Sequence, residues 1–251
     1  MRNLFVIMLI LPADRAFSQA DNEIQVYASP TIQRKWTIFE LHSNYTFKGS
    51  KYLDDPETAR WTNETLEITH GFGNNFEIGF YTFTAFSPNK HFQYLGNQIR
   101  PRVTIPDRWK WSFGASLSAE FGFFRSSDTS SYVWQGEIRP ILDKTTGDWY
   151  FSFNPNIDFI LTGSEKGVGF APQFKTVYTM REKIGFGIEY YGSLGSFKNI
   201  LPIDMQEHLL GPMIDLYLHP MWEINGGFLF GLTKNSNQRI VKLLLGRRIG
   251  K

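Results

Sequence analysis

Residues 109–124 (WKWSFGASLSAEFGFF) alternate without a break. Odd positions carry Trp109, Trp111, Phe113, Ala115, Leu117, Ala119, Phe121 and Phe123, and even positions carry Lys110, Ser112, Gly114, Ser116, Ser118, Glu120 and Gly122. A β-strand sends successive side chains to opposite faces, so this period makes a strand with one apolar face and one polar or very small face. Tryptophans stand at one end of the apolar face and phenylalanines at the other. Such a band suits the lipid-facing side of a membrane-spanning strand, and few half-buried soluble strands alternate for so long.

The same period recurs along the chain. It predicts strands over residues 36–47, 61–70, 76–86, 98–105, 109–124, 132–141, 149–161, 168–178, 184–190, 210–218, 222–232 and around 241–245, about twelve in all. The connections alternate too. Those after the first, third and ninth strands are long and polar, and those after the second, fourth, eighth and tenth are tight. An outer-membrane barrel has short periplasmic turns, longer outer loops and an even strand count, whereas a soluble sandwich has no reason to alternate its loop lengths. The expected fold is therefore all-β: a transmembrane antiparallel up-and-down β-barrel of about 12 strands. Loops containing Asp54, Lys90, Asp128, Glu165, Lys198 and Asn235 should share one rim, with Asn74, Asp107, Thr145, Glu182 and Pro220 on the other.

Residues 1–20 read as a signal peptide. Arg2 supplies the positive start, LFVIMLIL (4–11) the apolar core, Pro12 the break, and Ser18-Gln19-Ala20 the small residues of a cleavage site. That apolar run is too short to span a bilayer as a helix. Residues 21–33 are polar and irregular and read as a periplasmic lead-in, leaving 34–251 for the barrel. With 0 cysteines there is no thiol for a lipid anchor, a disulfide framework, thiolate catalysis or cysteine metal ligation. A formal charge of +2 gives no broad basic surface for nucleic acid. Pro101, Pro140, Pro155, Pro172 and Pro212 fall inside expected strands, all on the outward parity, where they mark bulges, kinks or strand ends.

The strand-and-turn phrases THGFGNNFEIGF (69–80), GEIRPIL (136–142), IGFGIEYYGSLG (184–195) and GFLFGLTKNSNQRIVKLLLGRRI (227–249) resemble bacterial outer-membrane β-barrels. Within them the chain is similar to the transporter family named for the MetA pathway of phenol degradation. That resemblance implies a transport role and brings no catalytic residues with it.

The inward face is where chemistry would be carried. It collects Glu40, Glu67, Glu77, Arg100, Arg102, Glu120, Glu137, Arg139, Asp158, Lys175, Glu189, Asp215 and Glu223. Ionised groups at bilayer depth must face protein or water, which places these in the lumen. They either form an ion-pair network that stiffens a narrow barrel or tune the selectivity of a hydrated path. In the first case Arg100 and Arg102 have Glu77 and Glu120 on adjacent strands, and Glu137 and Arg139 have Asp158. In the second, the lumen is partly wet and loss of Arg100 costs only modest stability while shifting ion preference towards cations.

A lipid hydrolase on the barrel wall is the enzymatic alternative, but His42 and Ser43 are adjacent and point to opposite faces, and no histidine is tied by sequence to Ser116, Ser118 and Glu120. His42, His70, His91, His208 and His219 are scattered singly, so no metal-ligand spacing is present, and the Gly-x-Gly pairs lack the third glycine and following helix of a dinucleotide site. The reading is a non-enzymatic, cofactor-free barrel of the bacterial outer membrane, a passive pore or transporter for small molecules. Its expected partners are outer-membrane lipid, an unidentified solute and the barrel-assembly machinery. A non-conducting structural or surface-binding barrel is the alternative.

Overall fold

A computed structural model describes residues 22–51, 59–89, 91–125, 131–163 and 166–250. The expected leader and the loop tips at Asp54, Lys90, Asp128 and Glu165 lie outside these residues.

The strands are β1 (Thr37–Lys48), β2 (Thr62–Gly71), β3 (Phe76–Phe86), β4 (Phe92–Thr104), β5 (Gly114–Arg125), β6 (Tyr132–Thr146), β7 (Trp149–Ile160), β8 (Gly167–Met180), β9 (Ile184–Ser193), β10 (Gly195–Ser196), β11 (Asn199–Ile200), β12 (Glu207–Leu216), β13 (Trp222–Gly231) and β14 (Arg239–Ile249). Setting aside the two-residue strands β10 and β11, twelve strands form a closed antiparallel ring in which consecutive members pair and β1 closes on β14. Closure leaves no strand edge to face lipid, the condition under which a sheet can cross a bilayer.

The parity follows the sequence pattern. Phe113, Leu117, Phe151, Phe186, Ile188, Phe228 and Phe230 are exposed on the outer wall, while Glu120, Glu189 and their inward neighbours are buried. In this way the barrel carries its apolar residues outside and its charges inside. Ile188, mid-strand on β9 opposite Pro212, tests the lipid face: Ile188→Arg should cost about 2–4 kcal/mol at the bilayer midplane. Denaturant unfolding from lipid vesicles checks this, and an unchanged midpoint would mean that this face does not meet hydrocarbon.

Several boundaries differ from the sequence pattern. The strand expected over 109–124 begins only at Gly114. Asp107–Trp109 forms a 3-10 turn after Pro106, and Lys110 takes a left-handed backbone (φ 51°), which breaks the extended run. Trp109, Trp111 and Phe113 then pack as successive rings 5.9 and 5.2 Å apart at the rim. In contrast, β6 continues through the expected 143–147 turn. Thr146 pairs with Trp149, and Gly147 (φ 57°) and Asp148 make a two-residue hairpin that needs a residue tolerant of positive φ. The loop over 192–205 carries the β10–β11 hairpin, which pairs Ser196 with Gly169 above the point where β8 and β9 stop pairing at Gln173 and Tyr191.

The strand prolines sit where ladders lapse. Pairing of β6 with β7 skips from Ile138↔Ile157 to Leu142↔Phe153, a gap holding Pro140 and Pro155. Pairing of β4 with β5 skips over Pro101, and that of β12 with β13 over Pro212. Pro155 and Pro172 face each other across β7 and β8 while that ladder runs on uninterrupted. Two residues without N–H groups fit there because antiparallel ladders alternate bonded and non-bonded pairs.

Candidate functional site

The lumen is occupied by the chain's own amino-terminal segment. Residues 22–33, expected as a periplasmic lead-in, are irregular as anticipated but run inside the barrel. Asn22 O accepts hydrogen bonds from Asn44 Nδ2 (3.3 Å) and Thr65 Oγ1 (2.8 Å) on the inner wall. From that level the segment descends to the rim of tight turns, where Arg34 bridges to Gly71 and the chain turns into β1. Its side chains alternate like those of a strand. Ile24 and Val26 join Tyr191, Leu209, Met213, Leu229 and Ile240 in one buried apolar cluster, so β9 and β12–β14 supply an apolar inner wall. Glu23 and Tyr27 point the other way, into the charges of β2–β6. An amphipathic extended segment thus matches a lumen with two unlike walls.

Tyr27 is the hub. Its hydroxyl meets Glu23, Glu67 (3.0 Å) and Tyr81 (2.8 Å), and its ring lies beneath Arg100 (4.8 Å), Arg139 (4.6 Å) and Arg102 (5.6 Å). Three guanidiniums around one ring are held by the attraction of cations to its electron-rich face. Main-chain groups of the segment are fixed as well. Tyr27 N donates to Asn154 Oδ1 (2.7 Å), Ser152 Oγ donates to Tyr27 O (2.6 Å), Arg102 donates to Ala28 O (2.9 Å) and Pro30 O (3.0 Å), and Ile32 N donates to Glu77 (2.5 Å). Ser29 donates to both oxygens of Asp143, at 2.7 Å each.

The wall charges form three groups. Arg100 pairs with Glu67 and with Glu77 (3.1 Å), Arg102 pairs with Glu77 (2.7 Å), and His42 Nε2 lies 3.5 Å from Glu67. Arg139 takes Glu137 (2.5 Å), Glu120 (3.4 Å) and Glu23 (3.7 Å), with Asp158 directly opposite Glu137 in the register. Glu189 accepts from Lys175 (3.1 Å), Lys242 (2.7 Å) and Tyr191 (2.6 Å), while Lys175 also reaches Asp215 (2.9 Å). Glu40 is buried beside this array with Glu67 and Gly246 as register partners, and Glu223 pairs with Arg248 at the exposed rim (2.9 Å).

The cross-strand pairing of Arg100 and Arg102 with Glu77 is as the pattern anticipates, but Glu120 goes to Arg139. Glu67 was missed as the partner of Arg100 because the two lie two strands apart. Arg100 reaches it across Gly79, whose inward position carries no side chain; a Cβ there would come within 2.7 Å of Thr69 Oγ1 and 3.2 Å of Arg100 Nη2. Tyr27, Glu23, Tyr81 and Lys242 were also missed. Inward parity marks Tyr81 and Lys242, and the alternation in EIQVY (23–27) was the available sign for the segment.

The group around Arg100 is dry, with Arg100, Glu67 and Glu77 at most 1% exposed. Space remains beside the segment. One cavity of about 480 Å³ runs from the turn rim at Pro220 between Gln25–Ala28 and the wall at Lys175, Glu189 and Asp215. Another of about 550 Å³ lies between Ser29–Thr31 and the turns around Asn74, Asp107 and Thr145. For catalysis the arrangement offers little. Ser43 points outward and donates to Glu64 rather than meeting His42, and among the described residues no group of three or more His, Cys, Asp or Glu side chains is placed to hold a metal.

No protein-family model and no curated protein matches the sequence. The fold is similar to the crystal structure of an outer membrane channel from Pseudomonas putida F1, with a TM-score of 0.62 and 9% identity, covering 90% of this chain and 100% of that one. It is also similar to the KdgM porin (TM-score 0.52, 12% identity, 85% and 99% covered) and the NanC porin (TM-score 0.50, 10% identity, 85% and 99% covered). At these identities the likeness is one of barrel architecture.

Proposed function

We propose that the chain is a passive pore of the bacterial outer membrane for small molecules, with its opening set by residues 22–33. The observation that carries this reading is an internal segment that occupies the lumen without filling it, leaving cavities of about 480 and 550 Å³ that reach the turn rim. A polar, charge-lined interior within an apolar wall supports it, and so does the architecture shared with proteins described as channels and porins. The resemblance to the transporter family named for the MetA pathway of phenol degradation fits the same role. Delivery by a cleaved leader and insertion by the barrel-assembly machinery belong to this reading. The second reading, a non-conducting structural barrel, is favoured by one observation: the segment is tied to dry ion pairs.

Conductance of the purified full-length mature chain in planar bilayers tests the proposal. Small, steady channels are expected, with uptake by vesicles falling as solute size approaches the cavity dimensions. Silence in both assays would support the structural barrel.

A further inference from the structure

Tyr27 has one hydroxyl hydrogen and two carboxyls that would take it. Its oxygen meets Glu23, Glu67 (3.0 Å) and the hydroxyl of Tyr81 (2.8 Å). An ionised carboxylate accepts hydrogen bonds and donates none. With Glu23 and Glu67 both ionised, two anions would compete for one hydrogen. The arrangement is complete when one of the two carries a proton. That carboxyl donates to Tyr27 Oη, Tyr81 donates to the same oxygen, and Tyr27 donates to the other carboxylate.

The surroundings select Glu23 as the protonated partner. Glu67 is supplied by Arg100, by Thr69 and, at 3.5 Å, by His42 Nε2. Glu23 has Arg139 at 3.7 Å, and Arg139 is shared with Glu137 (2.5 Å) and Glu120 (3.4 Å). Among the described residues, Glu23 Oε2 has no hydrogen-bond partner. The wall around this site brings His42 on β1, Glu67 on β2, Tyr81 and Glu77 on β3, and Arg100 and Arg102 on β4. It continues with Glu120 on β5, Glu137 and Arg139 on β6, and Asp158 on β7, so carboxyls already outnumber guanidiniums there. On the opposite wall Glu189 and Lys242 pair with each other. Glu23 is itself 3% exposed. A further anion in such a dry site is costly, and the group takes a proton instead.

We propose that Glu23 is a pH-sensitive latch for residues 22–33. Protonated, it is the donor that completes the Tyr27 arrangement and seats the segment. Ionised at alkaline pH, it loses that bond, competes with Glu67 for the Tyr27 hydrogen and is repelled by Glu67 and Glu120. The seated state holds one proton more than the released state, so rising pH favours release. The latch deepens the pore reading by giving its constriction a control, and its principal test does not depend on conduction.

The chain has 0 cysteines, so Ile24→Cys places a single thiol on a buried position beside Glu23, with Val26→Cys as a second variant. In detergent, the rate of labelling by iodoacetamide is compared between the Glu23 and Glu23→Gln backgrounds at the same pH, so the titration of the thiol cancels. The Gln amide is a neutral donor that keeps the seat. Rates should match at about pH 6, and the Glu23 background should label several-fold faster at about pH 9. In planar bilayers the full-length mature chain should gain conductance several-fold over the same range, and Glu23→Gln should not. Normal labelling behaviour without current would uphold the latch and end the pore reading. Equal labelling in the two backgrounds at both pH values, for both cysteine positions, would overturn the latch, as would faster labelling of the Glu23→Gln background at about pH 6.

Discussion

Deleting residues 22–33 should raise single-channel conductance several-fold over the full chain. The segment is the one stretch of backbone described inside the lumen, and its removal exposes groups it now covers. Arg102 loses the carbonyls of Ala28 and Pro30, Asp143 loses Ser29, and Glu77 loses the amide of Ile32. The inward carboxylates outnumber the inward cations once these surfaces are wet, so the wider channel should prefer cations. Reversal potentials under a salt gradient measure that preference. The barrel itself should still form, because its ladders run between strands and none passes through the segment. A folded deletion variant with the conductance of the full chain would show that the path is closed elsewhere and would end the assignment of residues 22–33 as the constriction.

Arg100→Ala should be among the most destabilising single substitutions in the barrel. Glu67 and Glu77 are both fully buried, and Arg100 is the residue that bridges them. Removing one partner of a dry ion pair leaves an uncompensated charge and costs on the order of 3–5 kcal/mol. Arg248→Ala provides the contrast. Its pair with Glu223 is at the rim, with side chains 41% and 36% exposed, so screening by water reduces the loss to about 0–1 kcal/mol. Replacing Arg100 and Glu67 together with apolar residues should recover part of the loss, because no lone charge remains on that pair. Unfolding free energies in lipid vesicles would decide. If both single variants fell within about 1 kcal/mol of the parent, the network would be behaving as hydrated. The strand pattern leads one to expect a partly wet lumen with only a modest loss at Arg100; the burial of Arg100, Glu67 and Glu77 argues for the larger loss at that position.

The barrel was legible because each strand repeats one physical instruction, apolar outward and polar inward, and because loop lengths alternate. Phe228 and Phe230 against Glu223 and Asn225 is that instruction in its plainest form. What pattern reading lost was whatever depends on the third dimension. The pairing of Arg100 with Glu67 needs a two-strand reach that no adjacent-strand rule contains. The start of β5 at Gly114 rather than Trp109 depends on a left-handed residue, Lys110, that alternation does not register. Residues 22–33 read as a lead-in because a segment pairing with no neighbour looks the same in sequence whether it lies outside a barrel or inside one. Its period of two, Glu23 and Tyr27 against Ile24 and Val26, was a real signal, but it answers to a lumen whose two walls differ only once the strands are closed.

One position in this lumen that carries no side chain governs the charges around it. Gly79 is the notch through which Arg100 passes to Glu67 and Thr69. A methyl group added there would crowd the Thr69 hydroxyl and press on the guanidinium from below. It would change no charge, yet it would redirect the residue on which Glu67, Glu77 and the Tyr27 ring all converge. The electrostatics of the interior, and through Tyr27 the seating of the segment, are therefore hostage to the volume of a single hydrogen atom.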